Sequence, residues 1–146
     1  MTPSESTSAS LALDREGSEL LPGLVYIVDD DPSMRRSLSL LAESAGLESI
    51  AYASANEFLD APREARPSCL VLDVRMPRIS GLALHQMLKE RGFQIPTIFI
   101  TGFGDVPAAV RAMRGGAINF IEKPFRDQEL LESIWAGIES HREILA

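Results

Sequence analysis

VYIVDDDPSMR, Val25 to Arg35, sets three aspartates in a row directly behind an apolar run. Extended back to Leu24 the run reads LVYIV, uncharged and of strand length, the signature of a strand buried on both faces. Asp31-Pro32 then supplies a helix N-cap and a first-turn proline, so the strand hands directly to a helix. That helix carries an apolar stripe of Met34, Leu38, Leu41 and Ala45 and closes at Gly46.

The same unit recurs along the chain. SCLVL (Ser68 to Leu72), PTIFI (Pro96 to Ile100) and AINFI (Ala117 to Ile121) are further apolar runs, while ESIAY (Glu48 to Tyr52) is more polar and suits a sheet edge. Ser54 with Glu57 reads as a capping box for a short second helix. Ser80 or Gly81 opens a third, with Leu84, Met87 and Leu88 inward and Gly92 past its end. Asp105 opens a fourth that stops at Gly115-Gly116. Asp127 opens the last, with Leu131, Ile134, Trp135 and Ile138 as its apolar face.

Strict alternation of strand and helix predicts an α/β fold, a doubly wound five-stranded parallel sheet of the flavodoxin-like kind. Right-handed crossovers in so short a chain give strand order 2-1-3-4-5, with ligands at the carboxyl ends of the strands near the reversal between strands 1 and 3. Asp29 and Asp30 leave strand 1, Asp73 leaves strand 3, Thr101 leaves strand 4 and Lys123 follows strand 5. All five residues converge on one rim.

Composition sets the bounds. At 146 residues, 45% hydrophobic and 24% charged, the chain has the profile of one globular domain with a full core. Residues 1–23, rich in Ser, Thr and Glu, read as a flexible, solvated extension in which Leu11 to Leu21 admits a short helix; the domain proper runs from 24 to 146. No apolar run approaches the ~18 residues a membrane span needs, and MTPSESTSAS lacks the basic start of a secretion signal. A cytoplasmic chain with no membrane contact is expected. Cys69, inside an apolar run, reads as a reduced core residue, and one cysteine excludes a zinc cluster. A net charge of −7 argues against this domain gripping nucleic acid by itself.

Three carboxylates brought to one rim repel each other unless a counter-charge or a proton is supplied. A hard cation such as Mg²⁺, which takes oxygen ligands and bridges carboxylates to phosphoryl oxygens, is one source; the ammonium of Lys123 is another. The constellation suits phosphoryl transfer onto Asp73, which needs no general base because a carboxylate is already ionised at neutral pH.

Asp29-Asp30 behind a strand, Asp73-Val74-Arg75-Met76-Pro77 with Gly81, Thr101-Gly102, and Lys123-Pro124-Phe125 together resemble the receiver domain of two-component response regulators. The likeness covers Leu24 to about Glu139, and ITGFGDVPAAVRAMRGGAINFIEKPF resembles the FixJ-like branch, whose receivers usually precede a LuxR-type DNA-binding domain. The resemblance implies that Asp73 is the phosphoacceptor and that Mg²⁺ is held by Asp30, by Asp29 through water, by Asp73 and by the backbone carbonyl of Arg75. It further implies that Thr101 senses the phosphoryl group, that Lys123 pairs with it and that Phe120 is the switch aromatic. A cis Lys123-Pro124 bond belongs to the same pattern. The implied partners are a sensor histidine kinase and a second copy of the chain, in a phosphorylation-dependent homodimer through helix 4 and strand 5. The implied output is transcription through a DNA-binding domain absent from this chain, the last helix stopping where a linker would begin. The receiver itself is a switch, catalysing only its own phosphorylation and dephosphorylation.

Other readings are weaker. Taken alone, Asp29-Asp30-Asp31 is a solvated turn with a helix cap, and Asp31 keeps that role. Thr101 alone is a strand-end hydroxyl, and Phe120 alone a core residue. GFGDVP, Gly102 to Pro107, half matches a dinucleotide fingerprint, but Pro107 replaces its third glycine and it follows the fourth strand. A phosphatase of the haloacid dehalogenase type needs a second acid where this chain has Arg75, and a nucleotide carrier needs a phosphate loop where it has aspartates. His85 and His141 read as helix-surface residues. Arg75 and Phe103 lie where this family tunes the lifetime of the acyl phosphate.

Overall fold

A computed structural model describes residues 12–13, 19–20, 23–102 and 104–145. Five strands, β1 (Leu24–Val28), β2 (Glu48–Tyr52), β3 (Ser68–Asp73), β4 (Thr97–Thr101) and β5 (Asn119–Glu122), form one parallel sheet in the order β2-β1-β3-β4-β5. The helices are α1 (Pro32–Ser44), α2 (Ala55–Asp60), α3 (Gly81–Glu90), α4 (Val106–Arg114) and α5 (Asp127–Leu145). This is the expected doubly wound fold and strand order, with the polar ESIAY strand at an edge. β5 starts later than the apolar run because Ala117 N–H is taken by the Ala112 carbonyl at the end of α4.

Successive strand side chains point to opposite faces, so each uncharged run divides between two cores. Leu24, Tyr26, Val28, Leu70, Leu72 and Phe99 pack with Phe58, Leu84, Leu88, Ala108 and Ala112 of α2, α3 and α4. Val25, Ile27, Cys69, Val71, Ile98, Ile100 and Ile121 pack with Leu38 and Ala42 of α1 and Leu130, Ile134 and Ile138 of α5. Cys69 is fully buried, and its burial raises the thiol pKa far above the physiological range, as suits a core residue. No helix among the described residues is long and apolar enough to cross a membrane.

The helix starts follow the caps in the sequence. Asp31 accepts from the Ser33 N–H at 3.0 Å, Ser54 from Glu57 N–H at 3.1 Å, and Ser80 from Ala83 N–H at 3.1 Å. The Glu57 carboxylate reaches Ala53 N–H, one residue before the cap it was expected to serve.

Three expectations change. Within the extension, Ala12–Leu13 pairs antiparallel with Glu19–Leu20 in place of a short helix, and Gly17 between them is a poor helix former, costing roughly 1 kcal/mol in a helix interior. The rest of the extension, Phe103 and Ala146 lie outside the described residues. The buried stripe of α5 is Leu130, Ile134, Gly137, Ile138 and His141, leaving Trp135 41% exposed and Leu131 half-buried. Gly137 packs closely on β3, where a Cβ would lie 2.8 Å from Cys69 Sγ.

Both histidines are buried, not superficial. His85 stands edge-on to Phe99 with ring centroids 5.4 Å apart. His141 Nδ1 accepts the Ser68 N–H at 2.8 Å, tying α5 to the start of β3. Desolvation lowers the pKa of both rings. A histidine depressed in the fold contributes stability that is present above its unfolded pKa near 6.5 and is lost as pH falls below it. His141→Ala should cost about 1–3 kcal/mol in urea unfolding at neutral pH, because Ser68 N–H is left buried without an acceptor. His141→Asn should recover part of that loss and lose less stability than the wild type between neutral pH and mildly acidic pH.

Candidate functional site

The last sheet bonds deliver the acids. Asp29 N–H donates to the Tyr52 carbonyl at 3.1 Å, carrying the β1–β2 ladder one residue past Val28. Arg35 of α1 reaches back to donate to the Asp29 carbonyl at 2.7 Å, fixing the short turn from strand to helix. Asp29 Oδ1 accepts the Asp31 N–H at 2.9 Å, while Asp29 Oδ2 is buried with no hydrogen-bond partner among the described residues. Asp73 is the final residue of β3 and half-buried, and Asp30 is exposed. One carboxylate oxygen from each of Asp29, Asp30 and Asp73 lies within 4.8 Å of the others.

That clustering shows in the acidities. Burial, then the charge of Asp29, pushes Asp73 up to about 7, against the opposing pull of Lys123 and the Arg75 backbone N–H. Burial also raises Asp29, with the Asp31 N–H and Lys123 opposing it. The one ammonium at the rim therefore does not offset the three carboxylates. An orphaned buried oxygen beside an all-oxygen donor set is the environment a hard divalent cation completes, and Mg²⁺ fits it.

Gly81, the first residue of α3, sits hard against the acidic strand end. Its N–H donates to the Val74 carbonyl at 2.8 Å, and a Cβ there would lie 1.9 Å from the Asp73 carbonyl oxygen. Only glycine permits this approach, which packs α3 onto the backbone that carries Asp73.

On the other flank Thr101 ends β4, fully buried, with its carbonyl accepting Lys123 N–H at 2.8 Å. The Lys123-Pro124 bond is cis, as the family pattern implies. Phe120 is half-buried against the core shared by α2, α3 and α4. The loop after Thr101 is held by side chains. Gly104 N–H donates to Glu122 Oε2 at 2.7 Å, and Asp105, the cap of α4, is ion-paired with the exposed Arg75. Arg75, Thr101, Gly102, Gly104 and Asp105 line a cleft of about 350 Å³.

The fold thus gathers Asp29, Asp30 and Asp73 into one cluster, keeps Thr101 and Lys123 on adjoining strand ends, and sets Phe120 on β5, two strands from Asp73. Arg35, Gly81, Asp105 and Glu122 are supporting residues whose roles at the site come from the structure. Gly81 was legible as a helix start and as part of the motif after Asp73, Asp105 only as a helix start, and Arg35 and Glu122 as charged residues on a helix and a strand.

Comparison with known proteins agrees. The family model of the response regulator receiver domain matches residues 25–135. Nodulation protein W of Bradyrhizobium diazoefficiens is 52% identical over 120 residues, 82% of this chain and 53% of that protein. Transcriptional regulatory protein FixJ of Azorhizobium caulinodans is 47% identical over 120 residues, 82% of this chain and 56% of that one. The chain spans about half the length of these curated relatives. Among solved structures, the crystal structure of FixJ-N superposes with a TM-score of 0.77 at 42% identity, covering 82% of this chain and 96% of its own.

Proposed function

The chain belongs to the response regulator receiver domain family, and we propose that it works by accepting a phosphoryl group on Asp73 from a sensor histidine kinase. The observation that carries this reading is the acid cluster at the reversal of the sheet, with its unpartnered Asp29 oxygen. Asp29, Asp30, Asp73 and the Arg75 carbonyl would hold Mg²⁺, which when bound supplies positive charge for the phosphoryl oxygens and the crowded carboxylates.

The chain's own residues account for the remaining chemistry. A carboxylate oxygen of Asp73 attacks phosphorus as the bond from phosphorus to the donor's histidine nitrogen breaks, leaving an acyl phosphate and a free imidazole. The Arg75 N–H, whose pull opposes the upward shift of Asp73, would orient the carboxylate. Lys123 pairs with the transferred group and Thr101 offers its hydroxyl, so one event at Asp73 is felt at two neighbouring strand ends. The fold acts as a switch that promotes its own modification.

The output we propose is dimerisation through α4 and β5. Val106, Val110 and Met113 are 65%, 42% and 47% exposed on α4, with Arg111 and Arg114 beside them, a surface that suits a two-fold contact. Thr101 moving toward the phosphoryl group draws its loop along, and Phe120 turns into the vacated space. The names of relatives such as transcriptional regulatory protein FixJ support transcription regulation as the role of the whole protein. With Mg²⁺ and beryllofluoride, a stable phosphoryl mimic, the chain should sediment as a dimer, and without beryllofluoride as a monomer. A monomer under both conditions, well above cellular concentrations, rules out this output face.

A further inference from the structure

The loop from Gly102 to Asp105 joins Thr101 to α4, and its described residues are Gly102, Gly104 and Asp105. A Cβ added at Gly102 or Gly104 would meet nothing within 4 Å. Two polar contacts tie its described residues to other parts of the chain: the Asp105 pair with Arg75, and the 2.7 Å bond from Gly104 N–H to the Glu122 carboxylate. The second has the length of a charge-assisted bond.

The placement of Glu122 gives that bond its consequence. In the sheet Glu122 is the register partner of Thr101. Ile121 packs into the core beneath α1 and α5, so Phe120 and Glu122, one residue to either side, point to the opposite face, the one that α4 covers. Glu122 therefore stands beside the Thr101 strand end and on the same face as Phe120, with its carboxylate on the loop between Thr101 and α4. Lys123 follows it directly.

We propose that Glu122 is a positioning residue that latches the Gly102 to Asp105 loop in its unphosphorylated place. Its bond to Gly104 N–H must be given up before Thr101 and the loop can move toward a group on Asp73. The proposal rests on the reading of Asp73 and Thr101 above and adds a residue that touches neither the phosphoryl group nor the metal ligands. A latch of this kind sets the resting population: whatever the bond contributes is subtracted from the apparent affinity for any ligand that requires the moved loop. Gly104, at φ +85°, reaches this position at no steric cost, so no backbone strain there opposes the bond.

The test is the beryllofluoride affinity of the full chain with Mg²⁺, read by calorimetry, together with hydrogen exchange at the Gly104 amide in the apo chain. Glu122 is exposed, and Glu122→Ala is expected to leave folding intact. It should speed exchange at Gly104 and tighten beryllofluoride binding about fivefold, the worth of one net hydrogen bond to a charged group at the surface. Glu122→Gln, which keeps an acceptor oxygen without the charge, should fall between. Unchanged exchange at Gly104, or faster exchange with unchanged or weaker beryllofluoride affinity, overturns the latch. A wild-type chain that binds no beryllofluoride overturns the phosphoacceptor reading itself, and the latch with it.

Discussion

An Asp73→Asn chain takes up no phosphoryl group from acetyl phosphate, and with metal removed by chelation at mildly alkaline pH it unfolds at a higher temperature than the wild type. The first half follows from chemistry, since an amide oxygen at neutral pH is no nucleophile toward phosphorus. The second half follows from the cluster. Asp73 is pushed up to about 7, first by burial and then by Asp29. A carboxyl group raised in the fold keeps a proton that the unfolded chain has already released, from about pH 4 to about pH 7. Stability in the absence of metal therefore falls as pH rises through that window, and the full cost is present above it. Replacing the carboxylate removes the cost, less the charged acceptor lost to the Arg75 N–H. A net gain of about 2 kcal/mol is expected, several degrees in Tm for a domain of this size. Mg²⁺ should reverse the order by stabilising the wild type and leaving the variant almost unmoved. Thermal unfolding of both chains with and without Mg²⁺ measures this. A variant less stable than the wild type in chelator would mean that the three acids are not in conflict.

Gly81→Ala is the second large effect, and it acts through backbone alone. The added methyl would lie 1.9 Å from the Asp73 carbonyl oxygen and 2.8 Å from its carbon, so α3 or the end of β3 must shift. The loss should be on the order of 3 kcal/mol, at the upper end of ordinary overpacking, because the obstacle is main chain and cannot rotate away. The displacement falls on the residue that carries the phosphoacceptor, so beryllofluoride affinity should drop together with stability. Urea unfolding and calorimetry on the same preparation separate the two losses. Near-wild-type values in both would show that α3 can slide outward freely.

The strands were legible because burial on both faces leaves an uncharged run, and the acids stood out because they interrupt such runs at their carboxyl ends. Asp29, Asp30, Asp73, Thr101 and Lys123 follow strand ends in the sequence and meet at one rim in space for that reason alone. What periodicity missed is informative. Of the face assigned to α5, Ile134 and Ile138 are buried, but Leu131 and Trp135 were included because hydrophobicity marked them, whereas Gly137, with no side chain to signal contact, is buried against Cys69. His141 extends the buried stripe by one turn, but a polar ring there looks solvated until Ser68 N–H is seen to need an acceptor. Glu122 and Asp105 have the composition of surface residues, and their bonds to Gly104 and Arg75 depend on loop conformation that no local pattern encodes.

Phosphoryl transfer to Asp73 is tested most directly by incubating the full chain with acetyl phosphate and Mg²⁺, trapping any acyl phosphate by borohydride reduction and mapping the modified peptide by mass spectrometry. A single modified position, Asp73, is expected, with the label absent when Mg²⁺ is chelated. Label on Asp29, on Asp30 or elsewhere, label at Asp73 that survives chelation, or an unlabelled chain in the presence of both reagents would contradict it.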